Sequence, residues 1–189
     1  MSKLLGVGSP LRLSPLTNFE RMYALDEAWN ARDWDTFDAL HDHDHVVVYW
    51  PGREKDPTRG GLDHRAEAVR FCAAFPDNKV KHPYDMLFGD GDHTASVTSF
   101  TGTFTAPFEQ PDGTVIEPTG KSFDFVFSTI ARWQDGKIVE EHLKYDNGLF
   151  VEQIGLACRE GTATSGPLWP DVAPGRHRSP QRDRAGGHR

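Results

Sequence analysis

From Ser122 to Trp133 the chain alternates strictly: Phe123, Phe125, Phe127, Thr129, Ala131 and Trp133 occupy one set of positions, and Ser122, Asp124, Val126, Ser128, Ile130 and Arg132 the other. Successive side chains of a strand point to opposite faces, so this is a long strand with one greasy face that something must cover. The cover lies upstream. Between Asn18 and Leu40 apolar residues recur at helical spacing through Phe19, Met22, Leu25, Trp29, Trp34 and Phe37, with a break at Asn30 to Asp33 and Asp33 or a neighbour placed to cap a second helix. Leu62 to Phe75 reads as a third helix, stopped by Pro76.

The other strand segments are Val46 to Trp50, Lys79 to Phe88, Thr94 to Thr105 and Lys137 to Tyr145, with turns at Gly89 to Asp92 and Gln134 to Gly136. Arg53 to Gly61 is a polar loop, and the long Ala106 to Gly120 connection is a candidate lid on length alone. Helices first and hairpin-linked strands afterwards predict an α+β domain, its curved, mainly antiparallel sheet packed on the N-terminal helices as a cone with an apolar interior. A small ligand belongs in that interior.

With 189 residues the chain holds one domain of this kind. The expected division is a flexible arm over 1–16, the folded unit over 17–157 and a disordered tail over 158–189, where Gly, Pro, Ser and Arg replace apolar periodicity. Six arginines and three acids give the tail +3, so the chain's net −7 leaves −10 on the body. An acidic body argues against a nucleic-acid partner. Two cysteines, Cys72 and Cys158, make no disulfide framework and no paired-cysteine zinc site. Pro10 and Pro15 break the N-terminal apolar run, and no segment has the roughly 20 apolar residues of a membrane span. The expectation is a soluble cytoplasmic protein with no membrane partner.

Chemistry concentrates in GKIVEEHLKYDNGLFVEQIGL, Gly136 to Leu156. On a strand, Glu140, His142, Lys144 and Asp146 share one face while Glu141, Leu143, Tyr145 and Asn147 share the other. Either the charged face meets water, or it lines a cavity in which a carboxylate and an imidazole face one reactant. A helical turn follows, through Leu149, Ile154 and Leu156.

The order of elements, with AFPD at Ala74 to Asp77, GDGD at Gly89 to Asp92, TGTF at Thr101 to Phe104, EPTGK at Glu117 to Lys121, DGKIVEE at Asp135 to Glu141 and YDNGLFVEQIGL at Tyr145 to Leu156, resembles the SnoaL-like polyketide cyclases of the NTF2-like superfamily. The resemblance covers roughly Phe19 to Leu156. It implies a cone-shaped α+β barrel, a homodimer paired through its sheets, and an intramolecular aldol ring closure on a small hydrophobic carbonyl substrate, with no metal or cofactor. By position in the motif, Asp146 corresponds to the family's acid/base aspartate. His142 would look into the same cavity, with Tyr49, Trp50, His45, His64, Phe104 and Phe125 as substrate-binding candidates. The expected activity is therefore that of a cyclase, isomerase or lyase, including ester cyclisation. Departures from the family pattern are His142 in place of an aromatic, the order Gly148-Leu149, and the length of the Ala106 to Gly120 loop.

Two rival readings accompany it. In one the cone is a non-catalytic ligand-binding or dimerisation module and Asp146 merely caps the last helix. In the other, His45, His64 and His142 with a carboxylate hold iron or zinc. The alternating His41, His43 and His45 admit this, but a solvated helix end with no metal is the preferred account.

Overall fold

The structure, a computed structural model of the chain, describes residues 16–110 and 113–156. The expected arm and tail therefore fall outside the described residues, apart from Leu16. Helices α1 (Asn18–Ala31) and α2 (Trp34–Leu40) come first, followed by strands β1 (Val47–Tyr49) and β2 (Thr58–Arg59) and helix α3 (Gly61–Ala74). Strands β3 (Lys79–Val80), β4 (Met86–Asp90), β5 (His93–Thr103), β6 (Phe108–Glu109), β7 (Val115–Ile116), β8 (Ser122–Gln134) and β9 (Lys137–Lys144) follow, and helix α4 (Asn147–Gln153) is the last described element.

Each boundary has a local cause. Thr17 and Glu20 form a reciprocal capping box at the start of α1, and Asp33, one of the caps the sequence allows, accepts from the Thr36 amide to open α2. Asp135 and Gly136 both take positive φ, 51° and 79°, which suits the tight hairpin joining β8 to β9. The expected Lys79 to Phe88 strand is two short ones, since the segment between β3 and β4 leaves the sheet. Strands β2, β6 and β7 were expected to be loop.

The main sheet runs β2-β1-β9-β8-β5-β3, with β4 also on β5. All pairs are antiparallel except β1 with β9. The sheet does not close: β2 and β3 remain edges, so the expected barrel is an open, curved sheet whose hollow the helices fill. The cross-strand row Thr94, Ala131, Glu141 and Val48 faces that hollow, as do Phe100 with Phe125 and Thr98 with Phe127. Gly102 lies opposite Phe123, where a Cβ would stand 2.8 Å from the ring. Helix α3 presents His64, Glu67, Ala68, Phe71 and Cys72 at helical spacing to the same interior.

Below the hollow the core is aromatic. Phe71 and Phe75 stack at 4.7 Å, Phe75 and Phe104 at 5.0 Å, and Phe123 meets Phe150 edge-on at 5.1 Å. The described part of the expected lid is tied into this core: Phe108 is fully buried against Phe71 and Phe75, and β6 pairs with β7 as a small hairpin.

Candidate active site

Between the helices and the sheet lies a cavity walled by Trp29, Trp50, Phe71, Phe100, Phe125 and Phe127, with Asp26, His64, Thr129 and Glu141 among its few polar groups. It holds about 580 Å3 of space between atoms, mouth included, but the centre of a water molecule moves through only about 40 Å3 of that. In this state it is a narrow slot, and a ring-sized ligand requires aromatic side chains to give way.

Asp26 enters from α1, one helical turn beyond the buried Met22 and one before the partly buried Trp29. It is buried, and its Oδ2 lies 2.8 Å from the Tyr84 hydroxyl, which is also 2.9 Å from the Met22 carbonyl. Burial pushes the Asp26 carboxyl above its ordinary range, with hydrogen bonding by His82 and Tyr84 only partly offsetting it. A hydroxyl has one proton to donate. When Asp26 is ionised Tyr84 donates to it, and when Asp26 is protonated it can donate to the Tyr84 oxygen while Tyr84 turns its own proton to Met22. Both protonation states are thereby satisfied within the same three groups.

Glu141 enters from the middle of β9 and is also buried. Its Oε2 lies 3.4 Å from His64 Nε2 and 3.6 Å from His41 Nε2. Burial opposes its charge, and a proton on either facing imidazole holds the carboxyl below the usual range. His41 closes α2, and its Nδ1 lies 2.8 Å from the Phe37 carbonyl, one turn back. His64 sits in the first turn of α3.

Several residues expected in the cavity lie elsewhere. Strand β9 ends at Lys144, and Asp146 is exposed at the N-cap of α4, where its side chain accepts from the Leu149 amide at 3.0 Å. His142 is half-buried on the outer sheet face, stacked on Tyr49 at 4.4 Å and 4° and within 2.9 Å of Glu140. The inward face of β9 is the other one, carrying Glu141 and Leu143. His45 is exposed and paired with Asp42 at 3.0 Å, which separates the His45, His64 and His142 of the rival metal reading. Phe104 is fully buried in the aromatic core and does not line the cavity. Trp50, His64 and Phe125 do line it. The Trp50 indole donates to Glu67 at 2.9 Å, a carboxylate also held by Thr58 and Arg53.

Sequence reasoning passed over Asp26, His41 and Glu141 as site residues. A signal existed for two of them: Asp26 is an acid inside the apolar stripe of α1, and Glu141 shares its strand face with Leu143 and Tyr145.

Comparison with solved structures agrees with this architecture. The fold is similar to that of IdmH, a candidate polyketide cyclase from Streptomyces antibioticus, at 26% identity and TM-score 0.61, over 74% of this chain and 99% of that one. It is similar to a candidate SnoaL-like polyketide cyclase from Jannaschia sp. CCS1, at 22% identity and TM-score 0.63, over 75% and 93%. It also resembles AclR, a candidate hydroxylase from Streptomyces galilaeus, at 20% identity and TM-score 0.60, over 73% and 95%. No functionally curated protein matches the chain in sequence. The model of one family, however, matches residues 20–154. With most of the chain under that match, and with the helix-covered, open curved sheet that its relatives share, this protein belongs to the SnoaL-like polyketide cyclase family.

Proposed function

We propose that this protein is an acid/base enzyme that moves a proton at the carbon beside a carbonyl of a small hydrophobic substrate, and that the specific reaction is an intramolecular aldol-type ring closure of a polyketide ester. Asp26 is the proposed base. A proton on carbon flanked by carbonyls is acidic enough for a carboxylate whose affinity for protons has been raised by burial. Asp26 takes that proton; the enolate carbon bonds to a second carbonyl carbon of the same molecule, and the alkoxide so formed takes the proton back. The aromatic walls exclude water and hold the folded substrate, while the imidazole of His64, which also lines the cavity, is the proposed donor to the developing oxyanion.

The observation that carries this reading is a buried carboxyl in the wall of an aromatic cavity: Asp26 lines it, is held by the Tyr84 hydroxyl at 2.8 Å, and is pushed by burial toward holding a proton. The role that the family resemblance gives to Asp146 passes to Asp26, because the Asp146 carboxylate is committed to the α4 amide. The homodimer remains part of the proposal: β8 exposes Val126 and Ile130 on its outer face, which a second copy would cover.

The test is exchange of the activated carbon-bound protons of hydrophobic β-keto esters into deuterated water, followed by proton NMR. Wild type should accelerate exchange for at least one member of an aryl and cyclic ester panel, and Asp26→Asn should lose that acceleration by about 100-fold or more while keeping the fold. Equal exchange by the variant would remove Asp26 from the chemistry. Ligand binding without any exchange would favour the non-catalytic module.

A further inference from the structure

His41, His64 and Glu141 come from three different elements, α2, α3 and β9, and are all buried. Among them is a mismatch that hydrogen bonding does not resolve. A carbonyl oxygen only accepts, so the 2.8 Å contact to Phe37 O makes His41 Nδ1 a donor. In the neutral ring the Nε2 lone pair then faces Glu141 Oε2, an acceptor against an acceptor. Both of these atoms are buried without a hydrogen-bond partner.

One answer would be an extra proton on the ring. Imidazolium–carboxylate bonds are short, about 2.7–2.9 Å. The imidazole–carboxylate contacts toward this protein's surface keep near that scale, at 2.8 Å for His43 with Asp44, 3.0 Å for His45 with Asp42, 2.6 Å for His93 with Asp92 and 2.9 Å for the half-buried His142 with Glu140. At Glu141 the two rings stand off at 3.6 and 3.4 Å. Those spacings fit something else. Two ligand atoms each about 2.1 Å from a zinc ion in tetrahedral geometry lie about 3.4 Å apart. The ligand atoms of the trio are all within 4.8 Å of one another, so the longest edge would shorten by at most about 1.4 Å on binding.

We infer that His41, His64 and Glu141 form a site for a borderline divalent transition ion such as Zn2+ or Fe2+. Two neutral imidazoles and one carboxylate are the donor set that such ions take while keeping open positions. The Phe37 carbonyl orients His41 as a carbonyl orients metal-bound histidines elsewhere. Since His64 and Glu141 line the cavity, the open positions face a ligand there. On the reading of the preceding subsection, the ion would polarise a substrate carbonyl and hold the enolate oxygen, while Asp26 handles the proton. The ion site itself does not depend on that reading.

The full chain, stripped with a chelator, is titrated with Co2+ and separately with Zn2+. One Co2+ per chain with the visible bands of inner-sphere nitrogen coordination, and a Zn2+-dependent rise in melting temperature, are expected. Glu141→Gln should weaken Co2+ binding by about 100-fold or more, and His41→Gln serves the same purpose if the first variant unfolds. Asp26→Asn should bind Co2+ normally. Failure of wild type to take up Co2+ with such bands overturns the inference. So does uptake that persists in the folded Glu141→Gln and His41→Gln variants, which would be surface histidines binding adventitiously. Loss of proton exchange in Asp26→Asn with Co2+ binding intact separates this site from the acid/base reading, because either result can fail alone.

Discussion

The hydroxyl of Tyr84 lies 2.8 Å from the carboxylate of Asp26, although 58 residues separate them in the chain. Tyr84 itself is buried, and burial together with the neighbouring Asp26 pushes its phenol far above the ordinary range, so it stays protonated and acts only as a hydrogen-bond switch. Its bond to Asp26 favours the ionised carboxylate.

Tyr84→Phe should therefore raise the Asp26 carboxyl still further. If Asp26 acts as a base, the pH profile of proton exchange rises with ionisation of that group, and the rise should move to higher pH in the variant. Loss of a buried hydroxyl that alternates between two acceptors should also cost about 1–3 kcal/mol of stability. An unshifted profile in the folded variant would separate Tyr84 from the chemistry.

Asp26 should also be visible in stability alone. Its folded carboxyl is raised above the ordinary aspartate value of about 3.9, so the unfolded chain gives up this proton first as pH rises. The contribution is full below that value and is lost as pH climbs through the folded value, with a slope of at most about 1.4 kcal/mol per pH unit. Urea unfolding of wild type and Asp26→Asn across pH should show wild type losing stability relative to the variant in that window.

Asp146 is expected to behave as a cap. Asparagine caps as well as aspartate, so Asp146→Asn should leave stability and proton exchange near wild type, and Asp146→Ala should cost about 1 kcal/mol. A collapse of exchange in the folded Asn variant would return the catalytic role to this residue.

The outer face of β8 leaves Val126 64% and Ile130 41% exposed. If a second copy covers them, light scattering should give a dimer for wild type and a monomer for the Val126→Lys, Ile130→Lys double variant, with secondary structure unchanged. A monomeric wild type would remove the dimer from the proposal.

Local pattern was enough for much of this protein. The alternation of Phe123 to Trp133, the helical spacing of Met22, Leu25 and Trp29, the Asp33 cap and the Asp135-Gly136 turn each rest on geometry that a few neighbouring residues dictate, and all appear where the sequence puts them. Trp50, His64 and Phe125 were legible as cavity residues in part because the elements that carry them were correctly recognised.

What the sequence could not choose was which face of β9 turns inward. A strand offers two faces, and the one crowded with Glu140, His142, Lys144 and Asp146 drew attention because charge there looked functional. The pairing of β9 between β8 and β1 decided otherwise: Glu141 lies in the inward row with Ala131 and Val48, and the strand ends before Asp146, which the next helix takes as its cap. The sequence alone thus determined the main helices and long strands, their order and the aromatic character of the interior. Only the tertiary structure brought Asp26 to Tyr84 and Glu141 to His41 and His64, because contacts between distant elements depend on sheet register and helix docking, and no local periodicity encodes either.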